Sequence, residues 1–267
     1  MKKIIAIVLA LTLALSLAAC GGNADDKTIK VGATPAPHAE ILEVIKEALA
    51  ADGWTLEIVV FDDYVLPNTA LAEGQLDANY FQHITYMEGF NEEHGINMVS
   101  AAGIHYEPFG MYAGKTASIE ALSDGAQIAV PNDATNEARA LLLLEQVGLI
   151  KLAEGAGINA TKADIVENPK NIEIVEMKAE LLTTTLQDVD MAVINGNYAI
   201  GAGLKVADAL AVEAADGAAA DAYMNVIAVM AGKENDAKIQ ALIKALKTDA
   251  VKSFIEETYA GAVVPLF

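Results

Sequence analysis

The sequence contains a single arginine, Arg139, among 17 basic residues, and its surroundings predict a binding role. It follows an apolar run at 127–130 and the turn-forming residues PND at 131–133, so it should lie near the start of a helix. A guanidinium holds a carboxylate through two parallel hydrogen bonds, and a helix N-terminus also favours an anion. Asn136 lies three residues earlier, on the same helix face. The alternative is a structural ion pair with one of the 37 acidic side chains.

A cluster of aromatic and polar side chains is a second candidate for a binding surface. Its members are Tyr64, Phe81, His83 and Tyr86. Rings can enclose an apolar group while a few polar atoms set its orientation, which is typical of a small-molecule pocket. The alternative is that residues 80 and 81 alternate between core and edge positions of a strand, with His83 as a cap.

Two asparagines lie beside predicted strands. Asn195 follows the strand at 191–194, and Asn225 precedes the strand at 226–230. Loops at the ends of strands in α/β proteins often bind ligands. A single asparagine in a turn is more commonly a turn former, so both interpretations stay open.

The sequence gives little support for catalysis or for a cofactor. It has no GxSxG motif, no P-loop and no GxGxxG motif after a strand. The histidines, at 38, 83, 94 and 105, lack the spacing of a local metal site, so a metal centre would require distant segments to converge. The adjacent carboxylates at 62–63 could imitate a glycosidase pair, but acidic residues are too abundant here for one pair to be informative. We therefore predict a non-enzymatic protein.

The segments that must position these residues alternate between short strands and helices. Strands are predicted at 29–32, 56–61, 98–102, 109–113, 127–130, 172–177, 191–194 and 226–230. Helices are predicted at 39–51, 68–74, 119–122, 135–148, 180–186 and 236–259. This alternation predicts α/β layers with largely parallel sheets.

The N-terminus predicts export. Two lysines precede the apolar run 4–11, and small residues precede Cys20, the only cysteine. This is the pattern of a secretory signal peptide, and the apolar run is too short for a spanning helix. Leu-Ala-Ala-Cys resembles the lipobox of bacterial lipoproteins, which predicts a signal peptide at 1–19, fatty acylation such as palmitate on Cys20, and a flexible tether at 20–27. The alternative is an ordinary signal peptide with an incidental cysteine.

The charge of the chain excludes some classes of partner. The formal net charge is −20, and removal of the two lysines of the leader makes it more negative. This argues against nucleic acid and against a polybasic membrane contact. With Cys20 acylated no disulfide can form, so the core must supply the stability.

Several longer motifs resemble the NlpA/MetQ family of lipoproteins. They are ANYFQH at 78–83, HYEP at 105–108, PNDATNEARA at 131–140, VGLIKL at 147–152, VENPKN at 166–171 and AVIN at 192–195. The resemblance implies a two-lobed periplasmic-binding-protein-like (type II) fold with a ligand cleft. It also implies a lipid-anchored, extracytoplasmic solute-binding protein that captures methionine and delivers it to the permease of an ABC transporter.

The resemblance also implies roles for individual residues. Arg139 would bind the ligand carboxylate with Asn136 beside it, while Asn195 and Asn225 would take the α-amino and carboxylate groups. The side chain would be enclosed by Tyr64, Phe81, His83 and Tyr86. Two departures from the family pattern are Ala134, where proline is frequent, and 179–185, which lacks a Leu-Pro-Arg segment.

The predicted first lobe comprises 28–107 and 225–267, and the second comprises 108–224. The two are joined near 107–108 and 223–224. Three alternatives for the solute stay open, namely another amino acid, a methionyl dipeptide or a metal ion bound by the histidines. A hydrolase built on carboxylate pairs is a further alternative.

Overall fold

A computed structural model describes residues 27–214 and 217–267. Cys20, the predicted leader and residues 20–26 of the predicted tether lie outside the described residues. Within the described ranges the strands form a six-stranded sheet, a five-stranded sheet and a two-stranded ribbon. No helix in those ranges combines the length and apolarity needed to cross a bilayer.

The strands are short and most are separated by helices. They are β1 (Thr28–Ala33), β2 (Thr55–Val60), β3 (Ala78–His83), β4 (Met98–Tyr106), β5 (Gly110–Ala113), β6 (Gln127–Pro131), β7 (Lys151–Leu152), β8 (Ile165–Glu167), β9 (Glu173–Met177), β10 (Met191–Ile194), β11 (Ala211–Val212), β12 (Met224–Met230) and β13 (Val264–Pro265). Across the larger sheet the order is β13-β4-β12-β3-β1-β2, and across the smaller sheet it is β11-β5-β10-β6-β9.

Both sheets are mixed, so the prediction of largely parallel sheets is wrong. In the larger sheet β1 pairs in parallel with β2 and β3, whereas β12 runs antiparallel to both β3 and β4. In the smaller sheet β10 is parallel to β6 and antiparallel to β5. A crossover helix between consecutive strands imposes parallel pairing. Strand β12 instead returns from the segments of the smaller sheet, so no such helix fixes its direction.

The described α-helices are mostly short, and several pack on the faces of the sheets. They are α1 (Glu40–Val44), α2 (Lys46–Ala51), α3 (Leu66–Ala72), α4 (Ile84–His94), α5 (Ala134–Gln146), α6 (Leu182–Thr185), α7 (Gly196–Gly201), α8 (Gly217–Ala222), α9 (Ala237–Leu246) and α10 (Asp249–Tyr259). The single long helix predicted at 236–259 is wrong. Thr248 ends that run and caps α10, since its side-chain oxygen accepts a hydrogen bond from the backbone N–H of Val251.

Each sheet has its own apolar core. Ile29 and Val31 of β1 pack with Ile41 of α1 and Leu242 of α9 under the larger sheet. In the smaller sheet the core is built around β6 and α5; its members include Ile128, Val130, Leu141 and Leu144. All six residues of β3 are buried. Burial of this strand fixes the positions of Phe81, Gln82 and His83 at its end, where the two sheets meet.

Candidate ligand-binding cavity

A cavity of about 330 Å³ lies between the two sheets. The eight binding residues predicted from the sequence all line it; they are Tyr64, Phe81, His83, Tyr86, Asn136, Arg139, Asn195 and Asn225. Four further lining residues were not selected from the sequence, namely Gln82, Glu107, Gly196 and Asn197. The structure thus brings the predicted residues together, and their contacts with a ligand stay a prediction.

Helix starts place several of these side chains. His83 ends β3 and caps α4, because its Nδ1 accepts a hydrogen bond of 3.1 Å from the backbone N–H of Tyr86. Asp133 caps α5 by accepting a hydrogen bond of 2.9 Å from the backbone N–H of Asn136. Arg139 follows one turn later, so both α5 residues reach the cavity. Asn195 stands immediately before α7, at the end of β10.

The hydrogen bonds fix the orientation of the buried amides. The Nδ2 of Asn136 donates to both carboxylate oxygens of Asp133, at 2.9 and 3.0 Å. The Oδ1 of Asn136 is therefore the acceptor for Nδ2 of Asn195 at 2.9 Å and for Nε2 of His83 at 3.2 Å. Asn195 Oδ1 is then left buried without a donor among the described residues. An unsatisfied buried acceptor is rare in folded proteins, and Asn195 lines the cavity, so a hydrogen-bond donor in the cavity could satisfy this atom.

Arg139 is both a wall of the cavity and half of a buried ion pair. Its Nε donates a hydrogen bond of 2.7 Å to Glu213, and its Nη2 donates to Glu213 and, at 2.8 Å, to the carbonyl oxygen of Glu107. The Tyr223 ring lies 4.2 Å from the guanidinium carbon. Within the described part of the chain Nη1 makes no hydrogen bond. Glu213 therefore occupies one edge of the guanidinium, and Nη1 is the nitrogen left for an anion.

A buried network holds Glu107 at the floor of the cavity. Its Oε1 lies 2.8 Å from Nε2 of His105 and 3.4 Å from Nε2 of His38. Burial lowers the pKa of His38 to about 4 and that of His105 to about 3, so both rings are neutral near pH 7. The remaining ring nitrogens contact hydroxyl groups, at 2.7 Å for Thr34 with His38 and at 2.5 Å for Tyr80 with His105.

A metal site would require distant segments to converge, and one such convergence exists in the described residues. It brings together His38, His105 and Glu107. Bonds of about 2.0–2.2 Å in a tetrahedral zinc site hold ligand atoms roughly 3.3–3.6 Å apart. The 2.8 Å between His105 Nε2 and Glu107 is instead a hydrogen-bond distance. His94 lies away from this cluster, where its exposed ring stacks on Phe90 at 3.9 Å. We therefore interpret the cluster as a hydrogen-bond network.

Aromatic rings form the apolar wall of the cavity. The Tyr64 ring centroid lies 5.8 Å from that of Phe81 and 5.6 Å from that of Tyr86. The Tyr64 hydroxyl donates a hydrogen bond of 2.5 Å to Oδ1 of Asn197, from the larger sheet's side of the cavity to the smaller sheet's side. Tyr198 makes a parallel contact by donating to the carbonyl oxygen of Asp62 at 2.9 Å. Rings thus enclose one end of the space, and polar atoms line the other.

Comparison with known families and proteins identifies relatives of the chain. The model of the NlpA lipoprotein family matches residues 29–267. The methionine-binding lipoprotein MetQ of Bacillus subtilis is 41% identical, with the alignment covering 100% of this chain and 99% of the relative.

Solved structures agree with this assignment. A lipoprotein of Ruminococcus gnavus is 56% identical with a TM-score of 0.89, covering 90% of this chain and 100% of that chain. A nutrient-binding protein of Burkholderia cenocepacia, solved with bound methionine, is 43% identical with a TM-score of 0.85 and the same coverage. A periplasmic substrate-binding protein of an ABC transporter from Coxiella burnetii has a TM-score of 0.83 at 42% identity, covering 89% of this chain and 100% of that chain. The predicted two-lobed α/β fold is confirmed, and the chain belongs to the NlpA lipoprotein family.

Proposed function

We propose that this chain is a solute-binding lipoprotein that captures methionine and delivers it to an ABC transporter permease. It performs no catalysis, and it acts outside the cytoplasm, held to the membrane through acylated Cys20. The names of the relatives support this proposal, because the Bacillus subtilis protein is a methionine-binding lipoprotein. A Streptococcus pneumoniae neighbour, 36% identical, is the substrate-binding protein of a methionine transporter.

The cavity chemistry supports an amino acid as the solute. One buried space is lined by a guanidinium, a carboxylate and an acceptor that lacks a donor, which are Arg139, Glu107 and Asn195. A zwitterion satisfies all three, since its carboxylate pairs with Nη1 of Arg139 and its ammonium donates to Glu107 and to Oδ1 of Asn195. The unsatisfied Oδ1 of Asn195 is the observation that carries this proposal.

The remaining predicted residues complete the site. Asn225 Oδ1 lies 3.1 Å from Nε2 of His38, so its amide nitrogen is left as a donor for the ligand carboxylate. Asn136 uses its own amide group to orient Asn195. The rings of Tyr64, Phe81, His83 and Tyr86 enclose the thioether, and sulfur–aromatic contacts contribute about 0.3–1.5 kcal/mol each. We further propose the lobe boundaries given above, with the cavity between 28–107 plus 225–267 and 108–224.

A thermal-shift panel on ligand-stripped protein tests the proposal. A ligand that binds only the folded state raises its stability by mass action. Methionine should therefore give the largest increase in melting temperature, norleucine and leucine smaller ones, and glutamate or lysine the smallest. Apolar pockets separate near-isosteres by only about 1–3 kcal/mol, so norleucine should still bind. The proposal is wrong if a metal ion or a charged amino acid gives the largest shift while methionine is silent at millimolar concentration.

A further inference from the structure

Two buried histidines, His38 and His105, have no place in the ligand contacts proposed above, yet both lie close to Glu107, which lines the cavity. His38 and His105 are each 0% exposed, and Glu107 is 6% exposed. They come from different segments, His38 from the chain before α1 and His105 from the end of β4. The Nε2 of His105 lies 2.8 Å from Oε1 of Glu107, whereas that of His38 lies 3.4 Å from the same oxygen and 3.1 Å from Oδ1 of Asn225.

The direction of these hydrogen bonds follows from chemistry. An ionised carboxylate only accepts, so the ring nitrogens nearest to it must carry hydrogens. In a neutral imidazole Nδ1 is then an acceptor. The Thr34 hydroxyl donates to Nδ1 of His38, and the Tyr80 hydroxyl donates to Nδ1 of His105. The Oδ1 of Asn225 accepts from the same Nε2–H of His38. Every group in the network therefore has a consistent role with both histidines neutral.

Neutral donors matter because of what the carboxylate has to attract. Burial raises the pKa of Glu107, and the nearby Arg139 charge and a hydrogen bond from the backbone N–H of Asn197 oppose that effect. A lysine or arginine in the place of either histidine would also hold the carboxylate, but its positive charge would cancel the attraction for a ligand ammonium. An imidazole without charge holds Oε1 in place and leaves the negative charge available.

The second carboxylate oxygen faces the start of α7, where the backbone N–H of Asn197 also donates a hydrogen bond to the Glu107 carboxylate. A Cβ built on Gly196, which lines the cavity, would lie 2.8 Å from Oε2 of Glu107. This close approach places Oε2 against the start of α7, whereas Oε1 faces the histidines. Glu107 thus connects the buried imidazoles to the cavity, which it lines.

We propose that His38 and His105 are positioning residues that make the cavity selective for ligands bearing a cationic amino group. His105 orients Glu107 by donating its uncharged Nε2–H to Oε1, and the neutral His38 ring, 3.4 Å from the same oxygen, adds no positive charge beside it. This inference rests on the proposed function, because it assumes that Glu107 meets the ligand ammonium.

The test compares methionine with its des-amino analogue, 4-(methylthio)butanoic acid, by calorimetry on ligand-stripped protein. The variants are His105→Leu, which removes the donor, and His105→Gln, whose amide N–H restores one. Hydrogen bonds to charged groups correspond to roughly tenfold to hundredfold in affinity. His105→Leu should therefore lower the preference for methionine over the analogue by about that factor while affinity for the analogue changes little. His105→Gln should retain most of the preference.

Controls separate this role from a structural one. His94→Gln alters an exposed histidine outside the cavity and should leave the preference unchanged. His38→Leu provides a second test if His105→Leu does not fold. Equal weakening of both ligands in the Leu variants, or an unchanged preference, overturns the proposal. Stabilisation of the wild type by Zn²⁺ that is lost in His105→Leu also overturns it, in favour of a metal site. Failure of the wild type to bind methionine at all refutes the proposed function instead.

Discussion

Replacement of Arg139 should damage the ligand-free protein as well as ligand binding. The Arg139 and Glu213 side chains are only 4% and 9% exposed, so Arg139→Met leaves a buried carboxylate without its partner. Removing one member of a buried ion pair destabilises a protein by about 3–5 kcal/mol. This is a large part of the roughly 5–15 kcal/mol that holds a domain folded. Chemical denaturation of ligand-stripped protein should show a loss of that size.

A second variant separates stability from binding. Glu213→Gln added to Arg139→Met removes the stranded charge, so the double variant should recover much of the lost unfolding free energy. Affinity should not recover, because Nη1 is still missing. Loss of a buried charge-assisted contact costs about 2–5 kcal/mol of binding, which is roughly 30-fold to several thousand-fold in Kd. Wild-type affinity of the double variant in calorimetry would refute a ligand contact by Arg139, because the side chain would then serve only the ion pair with Glu213. Wild-type stability of Arg139→Met alone would contradict the predicted loss of unfolding free energy.

Two further predictions concern distant parts of the chain. Cys20→Ser should abolish lipid modification, because acylation requires the thiol, and unchanged metabolic fatty-acid labelling would contradict the lipoprotein assignment. Burial raises the pKa of Glu137 to about 7, with the neighbouring Glu176 carboxylate adding to the shift. The unfolded chain therefore releases this proton near pH 4.5 and the folded chain near pH 7, so the group lowers stability as pH rises between these values. The unfolding free energy of Glu137→Gln, measured in urea relative to wild type, should therefore be higher at pH 8 than at pH 5. The same difference between variant and wild type at both pH values would contradict this prediction.

The sequence predicted the cavity better than its supporting contacts. Arg139 stood out because no other arginine competes with it, and three of the four residues of the aromatic cluster fall within 81–86. Glu213, the partner of Arg139, is one of 37 acidic residues and carries no local signal. Glu107 lies inside the HYEP motif, but only the fold shows that His38 reaches it from 69 positions earlier in the chain.

Local rules explain which elements were predicted correctly. Strand β10 is an apolar run with clear limits, and β1 and β2 differ from prediction by one residue or two. The break before α10 had a signal, since Thr248 precedes Asp249 in the manner of a helix cap. The amphipathic period continues across that break, which is why one helix was predicted. Strand direction depends on which distant segment becomes a neighbour, and no local pattern in 224–230 encodes that.

The two walls of the cavity are joined by short polar contacts, such as Tyr64 with Asn197 and His83 with Asn136, and seven of its eight predicted binding residues are buried. A solute enclosed in this way trades places with the surrounding pool only when the walls part. The rate at which unlabelled solute replaces a labelled one therefore measures how often the walls part, and the polar contacts between the walls set that opening rate. If opening is slow, solute bound in the host cell does not dissociate during dilution. Protein purified without unfolding should then retain the solute that it bound in that cell.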